Sequence, residues 1–351
     1  MPDNKKKSQD ITYSFQFRNA VKKLPIGQIN YHKKNYIKYL RENIGKVTNK
    51  KILETGAGSG IHAVILSLMA GKKNIIHSMD LLRSNIEKIN KFKKLYKLKN
   101  IKIYQHDFLK KIKTNILYDY SLCHNWVQHT PLPEKCLKNI FLNTKVGGKF
   151  YISTYHENLF RFTIAFVARQ IIKNRNKKKI IVFLIKNKNL IFKKDLSTYN
   201  NRDDIVFENL TDDFTTPYLF LTNYNRLKKC IEKHGFKSIT KKPKIDKIKF
   251  RDNHQLKMGF VKIKNLRNKN IKKCFVDIDN NYLIMKSNES FKEINSLTQL
   301  LQKKLNKKSY DYCSKFLLKL YLLRAKMNKS KSQNKIINLI NFLKEETIKS
   351  K

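Results

Sequence analysis

The chain has 351 residues, of which 41% are hydrophobic and 11% aromatic, so it can form a folded core and is not a disordered chain. Its formal net charge of +50 has two explanations. One is selected affinity for nucleic acid or an anionic membrane. The other, which we favour, is compositional bias of an AT-rich genome. Lysine far outnumbers arginine along the whole chain, whereas phosphate and base recognition favours arginine.

The five cysteines stand apart, with no CxxC pair and no Cys/His ligand spacing, which predicts reduced thiols and no metal site. The basic start MPDNKKKSQD is not followed by the apolar stretch of a signal peptide. No window reaches the ~18 apolar residues that a membrane-spanning helix needs. We therefore expect a cytoplasmic protein without a transmembrane segment.

Short apolar strands alternate with amphipathic helices over the first half of the chain. Residues 1–27 are predicted to be irregular, and a helix over 29–44 is predicted to end at Gly45. Strands are predicted at 51–54, 74–79, 101–105, 118–124 and 149–154, with helices at 61–70, 85–96 and 134–143. This alternation predicts βαβ units and a parallel sheet covered on both faces. The carboxyl ends of such strands share one edge, where open sheets bind ligands.

The alternation stops after Tyr155 and resumes near Asn223. A helix is predicted at 223–234, with Gly235 as its C-cap, followed by strands at 236–240 and 257–264 that would form an antiparallel edge. Residues 28–155 and 223–265 thus form one predicted α/β domain with a doubly wound, mostly parallel seven-stranded sheet. Residues 156–222 are interpreted as an insertion over the ligand-binding edge of that sheet.

Residues 266–351 are predicted to be a mostly helical C-terminal appendage that begins with a hairpin. The segments 274–278 and 282–286, separated by DNN, predict the hairpin. Ser290 and Glu293 have the spacing of a capping box, which predicts a helix from there to about Lys304. Two more amphipathic helices are predicted near 310–327 and 334–345.

The residues that indicate chemistry begin with the glycine-rich sequence ETGAGSG, which contains Glu54, Gly56, Gly58 and Gly60 and joins a predicted strand to a predicted helix. Glycine lets the backbone turn tightly and approach a ligand closely, and a helix N-terminus favours a negatively charged group. A dinucleotide-binding fingerprint is excluded, because Ile61 stands where its third glycine is required.

Two carboxylates follow at the ends of the next strands. Asp80 closes the second strand, where a carboxylate can accept both hydrogen bonds of a ribose diol. Asp107, in the sequence HDFL, closes the third strand. The alternative for both is a structural role as caps of the following helices.

Together, the loop ILETGAGSG, the two carboxylates and the segment HNWVQHTPLP with its later KVGG turn resemble the motifs of class I S-adenosylmethionine-dependent methyltransferases. The resemblance covers residues 28–155 well and 223–264 loosely. It implies a Rossmann-like fold with S-adenosylmethionine as cofactor, and contacts of Asp107 and Phe108 with the adenine. The implied cofactor-binding residues are Glu54, Gly56, Gly58, Gly60, Asp80, Leu81, Asp107, Phe108 and Asn125.

An enzyme of this family accelerates methyl transfer mainly by holding the acceptor atom in line with the methyl group. A general base is needed only where the acceptor must lose a proton. His129 is the predicted catalytic base, because it follows the fourth strand at the open end of the cofactor site. His124 and His156 are weaker candidates, and a local structural role is the alternative for each histidine.

The residues after the fourth strand also bear on the acceptor. They lack the N-P-P-Y/F pattern of many enzymes that methylate base amines, and Cys123 lacks the preceding proline found in cytosine C5 enzymes. We therefore expect transfer to an oxygen or nitrogen of a small or medium metabolite or glycan precursor. An RNA methyltransferase with a basic RNA-binding surface, and a non-catalytic binding protein with the same fold, remain alternatives. The sequence does not indicate an oligomeric state.

Overall fold

The computed structural model describes residues 36–47, 49–58, 60–69, 74–157, 160–173, 175, 177–187, 213, 216–240, 255–265, 273–280, 288–327 and 332–350. The irregular segment predicted at 1–27 and the second hairpin strand predicted at 282–286 lie outside these residues. The chain divides into two units. Unit 1 comprises Met1–His156, Phe220–Ile245 and Gln255–Phe275, and unit 2 comprises Glu157–Leu219, Asp246–His254 and Val276–Lys351.

The secondary structure alternates in unit 1 and is mainly helical in unit 2. The strands are β1 (Lys51–Thr55), β2 (Ile75–Asp80), β3 (Ile101–Gln105), β4 (Tyr118–His124), β5 (Thr144–Tyr155), β6 (Phe220–Leu221), β7 (Phe236–Ser238), β8 (Gln255–Lys262) and β9 (Val276–Asp277). The helices are α1 (36–44), α2 (Ile61–Met69), α3 (Arg83–Leu95), α4 (Pro133–Asn143), α5 (Phe160–Ile171), α6 (Lys177–Lys186), α7 (Tyr224–Glu232), α8 (Glu289–Leu305), α9 (Tyr310–Met327) and α10 (Ser332–Lys349).

Unit 1 contains a seven-stranded sheet with the order β3-β2-β1-β4-β5-β8-β7. The strands from β3 to β5 are parallel to one another, and β8 is antiparallel to its neighbours β5 and β7. The sheet reverses its strand order between β1 and β4, as doubly wound sheets do. This confirms the predicted mostly parallel seven-stranded sheet with an antiparallel end.

Both faces of this sheet are buried. In β1, Ile52 belongs to a hydrophobic cluster with residues of α1, α2 and α3, whereas Leu53 belongs to a second cluster with residues of α4 and α7. Successive residues of a strand point to opposite faces, so the two clusters lie on opposite sides of the sheet. The sheet is therefore held between two layers of helices. We call the face of the sheet that Ile52 enters, on the side of α1, the α1 face.

Glycines follow two helices of unit 1. Gly45 ends α1 as predicted, whereas α7 ends at Glu232 with Lys233 as its C-cap, so the predicted C-cap at Gly235 is wrong. Gly45 has a φ of +79°, and its N–H bonds to the carbonyl of Leu40 at 3.1 Å. Gly235, with a φ of +84°, ends the turn between α7 and β7. Glycine adopts such left-handed conformations without the strain that a side chain adds.

The first C-terminal helix of unit 2 begins differently from the prediction. Its N-cap is Asn288, whose side chain accepts a hydrogen bond from the N–H of Ser290 at 2.9 Å. Ser290 therefore lies inside the first turn, and the predicted capping box of Ser290 and Glu293 is wrong. Asparagine is at least as good an N-cap as serine, so the helix starts one residue after it, at Glu289.

Buried and partly buried ion pairs connect the helices of unit 2. The carboxylate of Asp213 is fully buried and accepts hydrogen bonds from Arg161 Nε at 2.9 Å and from Arg324 Nη1 at 3.2 Å. Arg169 donates from Nε to Asp279 Oδ1 at 2.8 Å. Charges removed from water need such partners. Across the described residues, none of the helices combines the length and hydropathy required to cross a bilayer.

Candidate active site

The carboxyl ends of the parallel strands meet at one edge of the unit 1 sheet, which we call the carboxyl edge. The glycine-rich loop follows β1 there. Gly56, Gly58 and Gly60 have φ values of +63°, +54° and +80°, a conformation that strains residues with side chains. The loop turns back over β2, because the N–H of Ala57 bonds to the carbonyl of Met79 at 3.2 Å.

Asp80, at the end of β2, lies against this loop and is only 6% exposed. Its Oδ2 accepts the N–H of Gly58 at 2.8 Å, and its Oδ1 accepts the N–H of Leu82 at 2.9 Å and the amide of Asn85 at 3.1 Å. Burial raises the pKa of Asp80, and these hydrogen bonds oppose that rise. The carboxylate therefore holds the loop and the start of α3 together. The hydroxyl groups of a ligand diol would have to share the Asp80 oxygens with these donors.

Glu54 is a second buried carboxyl group on the same face of the sheet, next to β2. It is 4% exposed, and Ser78 Oγ donates to its Oε2 at 2.6 Å. Burial raises the pKa of Glu54 to about 8; the bond from Ser78 lowers it and the charge of Asp80 raises it further. A positively charged ligand group beside Glu54 would favour its ionised form. S-adenosylmethionine carries two such groups, an ammonium and a sulfonium, so these residues fit that cofactor.

Trp126, which the sequence analysis did not single out, packs on the loop. A Cβ placed on Gly56 would lie 2.2 Å from Cγ of the Trp126 ring. The indole Nε1 donates to Thr55 Oγ1 at 3.0 Å, and the ring centroid lies 4.7 Å from that of Phe108. Trp126 thus joins two predicted cofactor residues, Gly56 and Phe108. The sequence offers one signal for it, since Trp126 is the single tryptophan of the chain and follows β4 directly.

The other predicted cofactor residues lie at the ends of the same strands. Asp107 follows β3, and its Oδ1 accepts the N–H of Leu109 at 3.0 Å, so it also caps its own turn. The carbonyl of Leu81 accepts a bond from the Gln105 side chain at 3.0 Å. Asn125, with a φ of +53°, joins the end of β4 to β5, because its N–H bonds to the carbonyl of Ser153 at 2.8 Å.

His129, the predicted base, ends a 3₁₀ turn that follows β4 (Val127–His129). The residue is 5% exposed, and its ring meets that of Tyr155 edge-on, with 5.6 Å between centroids. Its N–H bonds to the carbonyl of Trp126 at 2.9 Å. Two of the contacts of His129 therefore come from β5 and from its own turn.

A cluster of rings at the carboxyl edge, which the sequence analysis missed, comprises Tyr36, His62, His124 and Tyr151. Tyr36 of α1 stacks on His62 at 4.1 Å between centroids, and His62 meets His124 edge-on at 4.2 Å. His124 lies 6.1 Å from Tyr151. Among the described residues, the buried Tyr36 hydroxyl has no hydrogen-bond partner. Burial, followed by the negative charge of Glu54, raises the pKa of Tyr36. The sequence signal was slight: His62 follows the glycine run by two residues.

Comparison with known proteins shows that part of the chain matches a protein family. Residues 46–202 match the family model described as a methyltransferase domain. A ubiquinone biosynthesis O-methyltransferase of Coxiella burnetii is 25% identical over 138 residues, which are 39% of this chain and 57% of that protein. The chain thus spans little more than half the length of the curated relatives it matches.

Solved structures show more distant similarity. PKMT2 from Rickettsia typhi has a TM-score of 0.46 and 14% identity, over 68% of this chain and 55% of that one. A SAM-dependent methyltransferase from Aquifex aeolicus has a TM-score of 0.32 and 17% identity, over 45% and 74%. The family match spans the glycine loop, both buried carboxyl groups and the ends of β1 to β4. Residues 46–202 therefore belong to a class I S-adenosylmethionine-dependent methyltransferase domain.

Proposed function

We propose that this protein transfers the methyl group of S-adenosylmethionine to an oxygen or nitrogen of a small or medium metabolite or glycan precursor. The observation that carries the proposal is the pair of buried carboxyl groups, Glu54 and Asp80, beside the glycine loop. Carboxylates are the side chains best suited to a ribose diol and to the cationic groups of this cofactor. The Coxiella relative is named an O-methyltransferase, which favours oxygen as the accepting atom.

In this proposal the cofactor, when bound, supplies an electrophilic methyl group, and the chain supplies orientation. Asp80 would bind the ribose and Glu54 the ammonium group. Asp107 and Phe108 would bind the adenine. Gly56, Gly58, Gly60, Leu81 and Asn125 would complete the site. The activity is assigned to residues 28–155 and 223–265, with 156–222 as an insertion in the sequence and 266–351 as an appendage.

The sequence analysis named His129 as the base, with His124 and His156 as weaker candidates, and we propose the base from the first two. His129 was predicted from its place after β4. His124 now has stronger support, because it ends β4 within the ring cluster, beside His62 in the first turn of α2. A base acts only within hydrogen-bond reach of the proton that it removes. We therefore propose His124 as the base for an acceptor that must lose a proton, with His129 as the alternative.

Binding of the cofactor is tested by calorimetry with S-adenosylhomocysteine, the product that S-adenosylmethionine leaves after methyl transfer. We expect the intact protein to bind it. Asp80→Asn keeps the shape of the side chain and removes its charge, so affinity should fall by roughly 1.5–3 kcal/mol, as expected for hydrogen bonds to a charged group.

Asp311→Asn is the matched control, since Asp311 is an exposed residue of α9 that pairs only with Lys315 among the residues described. It should bind like the original chain. Absence of binding to the intact protein would contradict the proposed function. Equal affinity of Asp80→Asn and Asp311→Asn would remove Asp80 from the site.

A further inference from the structure

The position of an acceptor follows from the strand order, if the proposed function holds. The carboxyl groups assigned to the cofactor lie on β1 and β2 and after β3, which form one side of the sheet. On the other side of β1 lie β4, β5 and β8. Ligands of open sheets bind along the carboxyl edge, so an acceptor beside the cofactor lies over the ends of β4 and β5.

Lys257 of β8 lies at that place. It pairs with Ser153 of β5, whose carbonyl accepts the N–H of Asn125, the first residue after β4. Lys257 is thus level with the end of β4. Its neighbours Leu256 and Met258 enter the hydrophobic cluster on the face opposite α1. Lys257 points to the α1 face, where its Nζ lies 3.1 Å from the centroid of the Tyr39 ring.

The charge of Lys257 is incompletely balanced. The residue is partly buried, and burial lowers its pKa to about 8, while the more distant charge of Glu42 acts in the opposite direction. No carboxylate among the described residues forms an ion pair with it. A ring face stabilises an ammonium group, but less than a charged partner removed from water does.

Lys262, in the same strand, shows how a structural lysine differs. Its Nζ donates to the carbonyls of Phe141 at 2.7 Å and Thr144 at 2.6 Å, which accounts for its burial. Lys257 has no such carbonyl bond among the described residues. Tyr151 of the ring cluster lies on the same face of the neighbouring strand β5, where it pairs with Gly259 of β8.

We propose that Lys257 is an anion-binding residue of the acceptor site, and that the methyl acceptor carries a carboxylate or phosphate group in addition to its methyl-accepting atom. The anion fixes one end of the acceptor at Lys257. The accepting atom then lies toward β4 and His124. Lys257 is a specificity residue in this arrangement and takes no part in the transfer of the methyl group.

The test uses the full-length protein with saturating S-adenosylhomocysteine and trace acetylation of its lysines by acetic anhydride, read by mass spectrometry. The probes are benzoate, phenyl phosphate and, as a neutral analogue of benzoate, benzamide. Benzoate or phenyl phosphate at about ten times its dissociation constant should slow acetylation of Lys257 about tenfold. The exposed Lys237 of β7, measured in the same sample, should react at an unchanged rate.

Protection by benzoate alone indicates a carboxylate, and protection by phenyl phosphate alone indicates a phosphate. Equal rates with and without the anions, or equal protection by benzamide, overturn the inference. Lys257→Met keeps an unbranched side chain one atom shorter and removes the ammonium group. This variant should bind S-adenosylhomocysteine and lose the heat of binding of the anion, whereas Lys237→Met should keep both. If the protein binds S-adenosylhomocysteine but the anions do not protect Lys257 from acetylation, this inference alone is overturned. If calorimetry shows no binding of S-adenosylhomocysteine, the proposed function itself is contradicted.

Discussion

Two carboxyl groups, Glu54 and Asp80, lie buried on neighbouring strands, and burial raises the pKa of both. Hydrogen bonds from Gly58, Leu82 and Asn85 oppose this rise for Asp80, whereas Glu54 has the hydroxyl of Ser78. Burial thus brings the pKa of Glu54 to about 8 in the ligand-free protein. The cationic groups of S-adenosylmethionine would favour its ionised form.

The stability of the ligand-free protein should depend on pH through Glu54. The native pKa of about 8 exceeds the ordinary value of 4.5, so between these values the native state binds a proton that the unfolded state has lost. The free energy of unfolding should fall as pH rises through that window. Glu54→Gln stays neutral at every pH and should flatten the dependence. Denaturant unfolding at several pH values measures it, and an unchanged slope in Glu54→Gln would contradict the expectation.

The residues that the sequence revealed are those whose position follows from a local pattern. A glycine run after an apolar strand, and a carboxylate at the end of the next one, need only the βαβ rule to come together. Trp126, Tyr36 and His62 did not stand out, because their contacts depend on how α1 and the turn after β4 pack on the sheet. Such contacts join residues far apart in sequence, and no short motif encodes them.

At the level of elements, pairing across the sheet decides where strands begin and end. The KVGG sequence was predicted as a turn before a strand at 149–154, yet β5 extends from Thr144, which pairs with Tyr118 of β4. β8 begins at Gln255, two residues before the predicted start, because Tyr155 of β5 is there to pair with it. Strand partners outweigh local preference at such ends.

The turn between α7 and β7 depends on a glycine. Gly235 has a φ of +84°, and a Cβ there would lie 2.3 Å from the carbonyl oxygen of Lys264. Gly235→Ala should therefore destabilise the fold by about 2 kcal/mol or more, from backbone strain and the clash together.

Gly147→Ala is the matched control for this substitution. Gly147 has a φ of +78°, but a Cβ there would lie more than 4 Å from every atom of the residues that the structure describes. Its cost should be limited to the strain of the left-handed backbone, about 1 kcal/mol. Denaturant unfolding compares the two variants. Equal losses would show that the contact with Lys264 adds nothing.

The whole chain combines a very high positive charge with two units that each have a buried interior. In unit 2, two arginines, Arg161 and Arg324, contact the single carboxylate of Asp213. In unit 1, Lys257 and Lys262 are the lysines whose pKa burial lowers clearly among the residues described. The lysines behind the net charge of +50 are spread along the whole sequence, and compositional bias stays our favoured explanation for them.

The acceptor class can be tested on the whole protein with S-adenosylmethionine labelled in its methyl group and an extract of the source cells. We expect the label in the small-molecule fraction, because the surface charge is mainly lysine and not the arginine that suits base and phosphate recognition. Asp80→Asn should lower the incorporation. Label that appears in RNA, and disappears after ribonuclease treatment, would contradict the expected acceptor and favour the RNA alternative.

The bare backbone at Gly56 has a consequence for how the protein can vary. Its left-handed conformation favours glycine, and the indole of Trp126 packs where a Cβ at this position would lie. Position 126 can therefore vary more freely than position 56. A smaller side chain at position 126 would only leave a gap above Gly56. Any side chain added at position 56 would displace the Trp126 ring and strain the backbone.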